Sequence, residues 1–135
     1  VSGAKAFLGI CIGMQLLYNG SDESVGIKGL GVINEQVRAI EGDVKIPQMQ
    51  WNKLKCNFKH PMLKGIEEDP WVYFVHSYSA PITEESVAFC DYGSDLNAAI
   101  AINNLWATQF HPEKSGKTGM RLLKNFLSLL RSNQE

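Results

Sequence analysis

Ala6-Phe7-Leu8-Gly9-Ile10-Cys11-Ile12-Gly13-Met14-Gln15 is the stretch on which the reading of this chain turns. Ala6 to Ile10 is a short continuous apolar run, the pattern of a strand buried on both faces in a parallel sheet. Gly13-Met14-Gln15-Leu16-Leu17-Tyr18 reads as a helix, with Gly20 as its stop. Strand, then G-x-C-x-G, then helix is the pattern of a nucleophile elbow with Cys11 at its apex. Such a turn holds its central residue in a strained backbone conformation at the sheet edge. Glycines two before and two after it remove side chains that would collide with the strand and the helix. The sulfur is then expected at a helix N-terminus, whose positive end favours thiolate. The Ile12 N–H would point to where an oxyanion forms. The same pentapeptide also fits a structural cysteine that ends a core strand, so the rest of the chain must separate the two readings.

A base for Cys11 belongs at the carboxyl edge of the same sheet, where strand ends gather. Leu105-Trp106-Ala107-Thr108-Gln109-Phe110 reads as a strand, and His111-Pro112-Glu113 follows at its end. Pro112 fixes φ and stops the strand, and Glu113 can turn back to hydrogen-bond the imidazole. That selects the tautomer and stabilises imidazolium, as a Cys-His-acid triad requires. A plain surface turn is the alternative, since His-Pro recurs at His60-Pro61 with no acid close behind. His76, after an aromatic strand, reads as a structural histidine.

Around these two motifs the pattern is α/β with a mixed sheet. Strands are expected at Gly31 to Ala39, Trp71 to Val75, Ser86 to Asp91 and Ala98 to Ile102. The last pairs with Leu105 to Phe110 across Asn103-Asn104, residues that tolerate positive φ. Lys53 to Lys64 reads as an irregular surface segment. From about Lys117 an amphipathic helix is expected to bury Met120, Leu123, Leu127 and Leu130. The 135 residues suit a single domain, 1–135, with 44% hydrophobic and 20% charged content. A net charge of -1 gives no reason to expect nucleic acid or an anionic membrane as partner. Apolar runs fall far short of the roughly 18 residues that span a bilayer. Three cysteines without a C-x-x-C pair point to reduced thiols in the cytoplasm, and neither to a disulfide framework nor to a cysteine zinc site. A chain that opens at Val1, close before a strand, suggests a natural start further upstream.

The elbow run Gly9 to Gln15, followed far downstream by Thr108-Gln109-Phe110-His111-Pro112-Glu113, resembles the triad-type (class I) glutamine amidotransferases. Four more segments are similar to the glutaminase subunits of imidazole glycerol phosphate synthases, which belong to histidine biosynthesis. They are Ile46-Pro47-Gln48-Met49-Gln50-Trp51-Asn52, His60-Pro61-Met62-Leu63-Lys64-Gly65-Ile66, Tyr73-Phe74-Val75-His76-Ser77-Tyr78 and Glu113-Lys114-Ser115-Gly116. The resemblance covers essentially the whole chain and implies a flavodoxin-like mixed sheet with a nucleophile elbow. The family's N-terminal strands, and their loop carrying a second oxyanion donor, have no counterpart here. Gln50 stands where the family usually has Gly.

By this resemblance Cys11 attacks the side-chain amide of glutamine, His111 carries protons and Glu113 orients it, while Ile12 N–H binds the oxyanion. Gln15, Ser77 and Tyr78 hold the substrate. Trp51, Asn52, Tyr73 and Lys114 face a (β/α)8-barrel cyclase in a heterodimer. No metal and no cofactor are implied. Two other readings stay open: a triad glutaminase of purine, pyrimidine or pyridoxal phosphate synthesis, and a non-catalytic α/β binding module.

Overall fold

The computed structural model describes residues 5–57 and 59–134. In chain order the elements are β1 (Phe7–Ile10), α1 (Ile12–Gln15), β2 (Tyr18–Ser21), β3 (Ile33–Ala39), β4 (Gln48–Lys53) and β5 (Lys55–Cys56), then a 3₁₀ turn at Pro61–Leu63. They continue with β6 (Trp71–His76), β7 (Tyr78–Ser79), β8 (Ser86–Asp91), β9 (Asp95–Ile102), β10 (Leu105–Thr108), a 3₁₀ turn at Pro112–Lys114 and α2 (Gly116–Gln134).

The central sheet runs β1-β10-β9-β8-β5. β1 and β10 are parallel, with Phe7 opposite Leu105 and Ile10 opposite Thr108. The other neighbours are antiparallel, so the sheet is mixed. Asn103 takes φ 50° in the β9–β10 turn, as its type permits. Two flanking ribbons complete the fold: β2-β3-β7 on one side and the hairpin-like pair β4-β6 on the other. Strand alternation divides the core. Trp106 and Ala99 join Leu54, Met62, Val72, Phe74, Phe110 and Leu122 on one face. Leu105, Ala107 and Ile100 join Met14, Leu17, Tyr18, Ile33 and Val37 on the other. Buried Asn97 reaches from β9 to the Tyr18 hydroxyl at 3.3 Å, fastening the β2 ribbon to the central sheet.

Three expectations need correction. The helix after the elbow lasts only four residues, and Tyr18 and Gly20 belong to strand β2. Tyr18 is fully buried and pairs with Ile33 of β3, so tertiary pairing overrides the helical pattern. The segment from Lys53 to Lys64 is not merely a surface loop. It carries β5 and a 3₁₀ turn, and it drives Leu54, Met62 and Leu63 into the core; Phe58 lies outside the described residues.

Thirdly, α2 is rotated from its expected face. Met120 and Leu127 are 55% and 50% exposed, while Thr118, Leu122 and Asn125 are buried. The cause is polar. Asn125 Nδ2 donates to the Met62 and Lys64 carbonyls at 2.8 and 2.9 Å, turning its own face inward. Gly119 is on the same face, against Pro112; a Cβ there would lie 1.8 Å from the Pro112 carbonyl oxygen.

Gly119→Ala must therefore push α2 away from the His111-Pro112-Glu113 turn. The expected result is a loss of about 2–3 kcal/mol or more in urea unfolding, whereas Met120→Ala on the exposed side should change stability by less than about 0.5 kcal/mol.

Candidate active site

The elbow forms, but only the first of its two glycines is required by contact, since a Cβ on Gly13 would meet nothing within 4 Å. Cys11 sits at φ 54°, ψ −109°, a conformation that costs an L-residue on the order of 1–3 kcal/mol. Its N–H donates to the Thr108 carbonyl at 2.8 Å, which continues the β1–β10 pairing one residue past the strand. A Cβ on Gly9 would lie 2.8 Å from the Gly13 carbonyl oxygen, so strand and helix could not approach this closely with any side chain there.

His111 emerges from the neighbouring strand end, three residues beyond the Thr108–Ile10 pair, and so leaves the sheet at the same carboxyl edge as Cys11. Its N–H donates to the Tyr73 carbonyl at 3.0 Å, and its carbonyl accepts the Ser115 hydroxyl at 2.6 Å. Ser115 in turn accepts the Tyr73 N–H at 3.0 Å. These bonds pin the histidine backbone between β6 and α2. The ring's Nδ1 stands 3.2 Å from Glu113 Oε2, the pairing expected of an orienting acid. Neither ring nitrogen bonds the sulfur in this conformation. The thiol donates to the Val75 carbonyl and accepts from the Gln109 amide, both at 3.7 Å.

The electrostatics correct the expected thiolate. Burial raises the Cys11 pKa above the ordinary thiol value, more than the Ile12 N–H lowers it. Glu113 and Glu23 add negative potential that raises it further, while the Gln109 amide lowers it. A four-residue helix has little dipole to offer against this. At neutral pH Cys11 is a thiol that needs a base. Burial pushes the partly buried Cys56 and the buried Cys90 up to about 12, so neither competes as a nucleophile at neutral pH.

Gln15 and Tyr78 come together: Gln15 Nε2 donates to the Tyr78 carbonyl at 3.0 Å and to Gln109 Oε1 at 2.9 Å. The Ser77 carbonyl accepts the Ile40 N–H at 3.0 Å. Trp51 and Tyr73 are cross-strand partners on the outward face of the β4-β6 ribbon, their rings 5.9 Å apart and edge to face. Trp51 is 47% exposed there, beside Met49. Asn52 turns its amide to the Asp91 carbonyl at 2.9 Å, so it ties β4 to the end of β8. Lys114 is exposed in the 3₁₀ turn next to Glu113.

Two site residues escaped the sequence reading. Gln109 is fully buried and touches both Cys11 and Gln15; its only signal was lying two residues before His111, on the same side of an extended chain. Glu23 lines a groove with Ile12, Gln15, Gly20 and Ser21. Nothing in the local pattern distinguished it from other surface acids. Among the described residues no helix is long and apolar enough to cross a membrane.

Comparison with known proteins gives one family. Residues 1–130 match the family described as glutamine amidotransferase class-I. The chain is 43% identical to imidazole glycerol phosphate synthase subunit HisH of Vibrio cholerae, over 93% of this chain and 64% of that protein. It is 49% identical to the protein of that name from Deinococcus radiodurans, over 88% of this chain and 57% of the relative. The chain thus spans about three-fifths of the length of these relatives. A solved glutamine amidotransferase structure superposes with a TM-score of 0.65 at 21% identity, over 93% of this chain and 61% of that one.

Two outcomes are expected from the geometry. Because Glu113 raises the Cys11 pKa, Glu113→Gln should lower it and speed iodoacetamide alkylation of Cys11 at pH 7 by about twofold or more, as read by mass spectrometry of the modified peptide. Cys11→Gly should relieve the positive-φ strain and raise unfolding stability by about 1 kcal/mol over Cys11→Ala in urea denaturation.

Proposed function

We infer that this chain, which belongs to the class-I glutamine amidotransferase family, hydrolyses glutamine to glutamate and ammonia. It does so through a cysteinyl thioester, and passes the ammonia to a (β/α)8-barrel cyclase that makes imidazole glycerol phosphate for histidine biosynthesis in the cytoplasm. The observation that carries this reading is the shared strand edge. Cys11 and the His111–Glu113 pair leave the ends of the adjacent parallel strands β1 and β10. Identities of 43% and 49% to HisH subunits support the pathway and the kind of partner.

Each step follows from the groups on that edge. His111 takes the Cys11 proton, because the buried thiol keeps it otherwise. The sulfur attacks the side-chain amide carbon, and the oxyanion that forms is held by the Ile12 N–H, a first-turn donor that has no helical partner. His111 returns the proton to the departing nitrogen, so ammonia leaves and the thioester remains. Water, deprotonated by His111, then attacks the thioester; the C–S bond breaks, glutamate is freed, and His111 returns the proton to the Cys11 sulfur. Glu113 holds the ring by its Nδ1 and so keeps Nε2 as the nitrogen that handles protons. Glu23 supplies a carboxylate in the groove beside the site, the natural partner for the substrate's α-ammonium. Gln15 lines the same groove and rests on the Tyr78 carbonyl, and with Ser77 and Tyr78 it is assigned to hold the rest of the substrate.

Free ammonia protonates in water, so a glutaminase that feeds a synthesis has to dock on its acceptor. The outward face of β4-β6, with Met49, Trp51 and Tyr73, suits that role, as aromatic anchors dominate interfaces. Lys114 adds a charge close to the site, and Asn52 stiffens the face from behind. Val75 belongs to the same ribbon, and its carbonyl meets the nucleophile, so the docking face and the reacting sulfur share one strand.

The test is glutamate release by the full-length protein with and without the cyclase and its ligand. Cys11→Ala should lose at least about 10³-fold and Glu113→Gln at least about 10-fold. Trp51→Ala should leave unassisted hydrolysis nearly unchanged while weakening the cyclase complex by about 2 kcal/mol in calorimetry. Equal release by wild type and Cys11→Ala would end the nucleophile assignment. Cysteine-dependent release that ignores the cyclase would end the pathway assignment.

A further inference from the structure

His76 closes β6 and is only 6% exposed, yet the chemistry above does not use it. Both ring nitrogens meet fixed partners. Nδ1 lies 2.9 Å from the Tyr78 carbonyl, and Nε2 lies 2.6 Å from the end of the Gln48 side chain. A carbonyl can only accept, so Nδ1 carries the proton. In the neutral ring Nε2 then offers a lone pair and needs a donor. Gln48 is that donor. With its oxygen toward the ring, two acceptors would face each other and the buried Gln48 Nε2 would have no partner. With the nitrogen toward the ring, the clash of acceptors disappears and the Gln48 oxygen takes the other position, on the side of the Cys90 thiol. Burial supports the same tautomer by disfavouring the imidazolium form.

The carbonyl that His76 holds is the one on which Gln15 rests. Tyr78 receives His76 Nδ1–H on one side and Gln15 Nε2–H on the other. The second Gln15 proton goes to Gln109, whose own nitrogen reaches the Cys11 sulfur. An unbroken run of hydrogen bonds therefore joins Gln48 on β4 to the nucleophile. Both Nε2 protons of Gln15 are consumed, which leaves Gln15 Oε1 to accept from a ligand N–H in the adjoining groove.

We propose that His76, held by Gln48, is a positioning residue for substrate: it fixes the Tyr78 carbonyl and, through it, the orientation of the Gln15 amide. This rests on the glutaminase reading, in which the ligand offering the N–H is glutamine. His76 moves no proton in the reaction. Its loss should thus be felt in substrate binding and not in the chemical step.

The experiment compares full-length wild type with His76→Leu, Gln48→Leu and the double variant. Two readouts are needed: exchange of the Gln15 side-chain amide protons by NMR, and KM and kcat for glutamine. His76→Leu should speed Gln15 amide exchange by about 10-fold or more and raise KM about 10-fold, with kcat within about threefold. Gln48→Leu should move both in the same direction by less. The double variant should be no worse than His76→Leu alone, since both act along one path. If His76→Leu does not fold, His76→Gln, which lacks the Nδ1 donor, carries the same expectation. Unchanged Gln15 exchange, or a fall in kcat at constant KM, would overturn the proposal. Absence of glutamate release from wild type would overturn the functional reading instead, and the exchange comparison would still decide the role of His76.

Discussion

The parallel pairing of β1 with β10 is the constraint from which the rest of this structure follows. Register places Ile10 opposite Thr108, and the Cys11 N–H extends the ladder by one bond to the Thr108 carbonyl. That bond holds Cys11 in a positive-φ conformation which the isolated chain would avoid. It also sets how far the two chain segments travel before they leave the sheet. Shifting the register by one residue would turn Cys11 and His111 to opposite faces and dismantle the site without deleting any of its residues. The glycine at position 9 is part of the same constraint, because the elbow closes only where strand and helix backbones touch.

Around this pair the polar side chains matter more than their number suggests. Asn97, Asn125, Gln48, Gln109 and His76 are all buried, and each links elements far apart in sequence. A buried polar group without a partner is costly, so each of these residues specifies one arrangement among those that apolar packing alone would allow. Asn125 decides which face of α2 turns inward. Gln109 and His76 decide where the Gln15 amide sits. The same burial that makes these contacts specific also raises the Cys11 pKa, so the nucleophile rests as a thiol. In the proposed mechanism this makes the imidazole a true base and confines reactivity to the moment when His111 reaches the sulfur.

α2 contributes through contact rather than chemistry. Gly119 lets the helix backbone approach Pro112, and Ser115 at the helix entrance bonds both His111 and Tyr73. The turn that carries His111 and Glu113 is thereby braced from behind by a long helix and from the side by β6. The other face of β6 and β4 is the exposed aromatic strip around Trp51. One ribbon thus borders both the proposed docking surface and the reacting sulfur.

The sequence by itself determined the features that rest on local chemistry. G-x-C-x-G between an apolar run and a helix start implies a tight turn, and at Gly9 only glycine permits that approach. Asn103-Asn104 between two apolar strands implies a hairpin, and His-Pro-Glu implies a strand stop with an acid in reach of the ring. The family was legible in the same way, from short motifs in the right order. What tertiary structure alone decided is where long-range partners overrule local pattern. The stretch from Gly13 to Tyr18 looks helical throughout, but β3 captures Tyr18 as a strand residue. The spacing of Met120, Leu123, Leu127 and Leu130 marks a plausible inner face, but Asn125 finds carbonyls 61 and 63 residues away and turns the helix to meet them. Gln109, Glu23 and His76 carry no local signature, because their roles consist of contacts that exist only once the sheet has formed. Cys11 could be read as a nucleophile from its neighbours in the chain; that it rests as a thiol depended on the surroundings that folding brings to it.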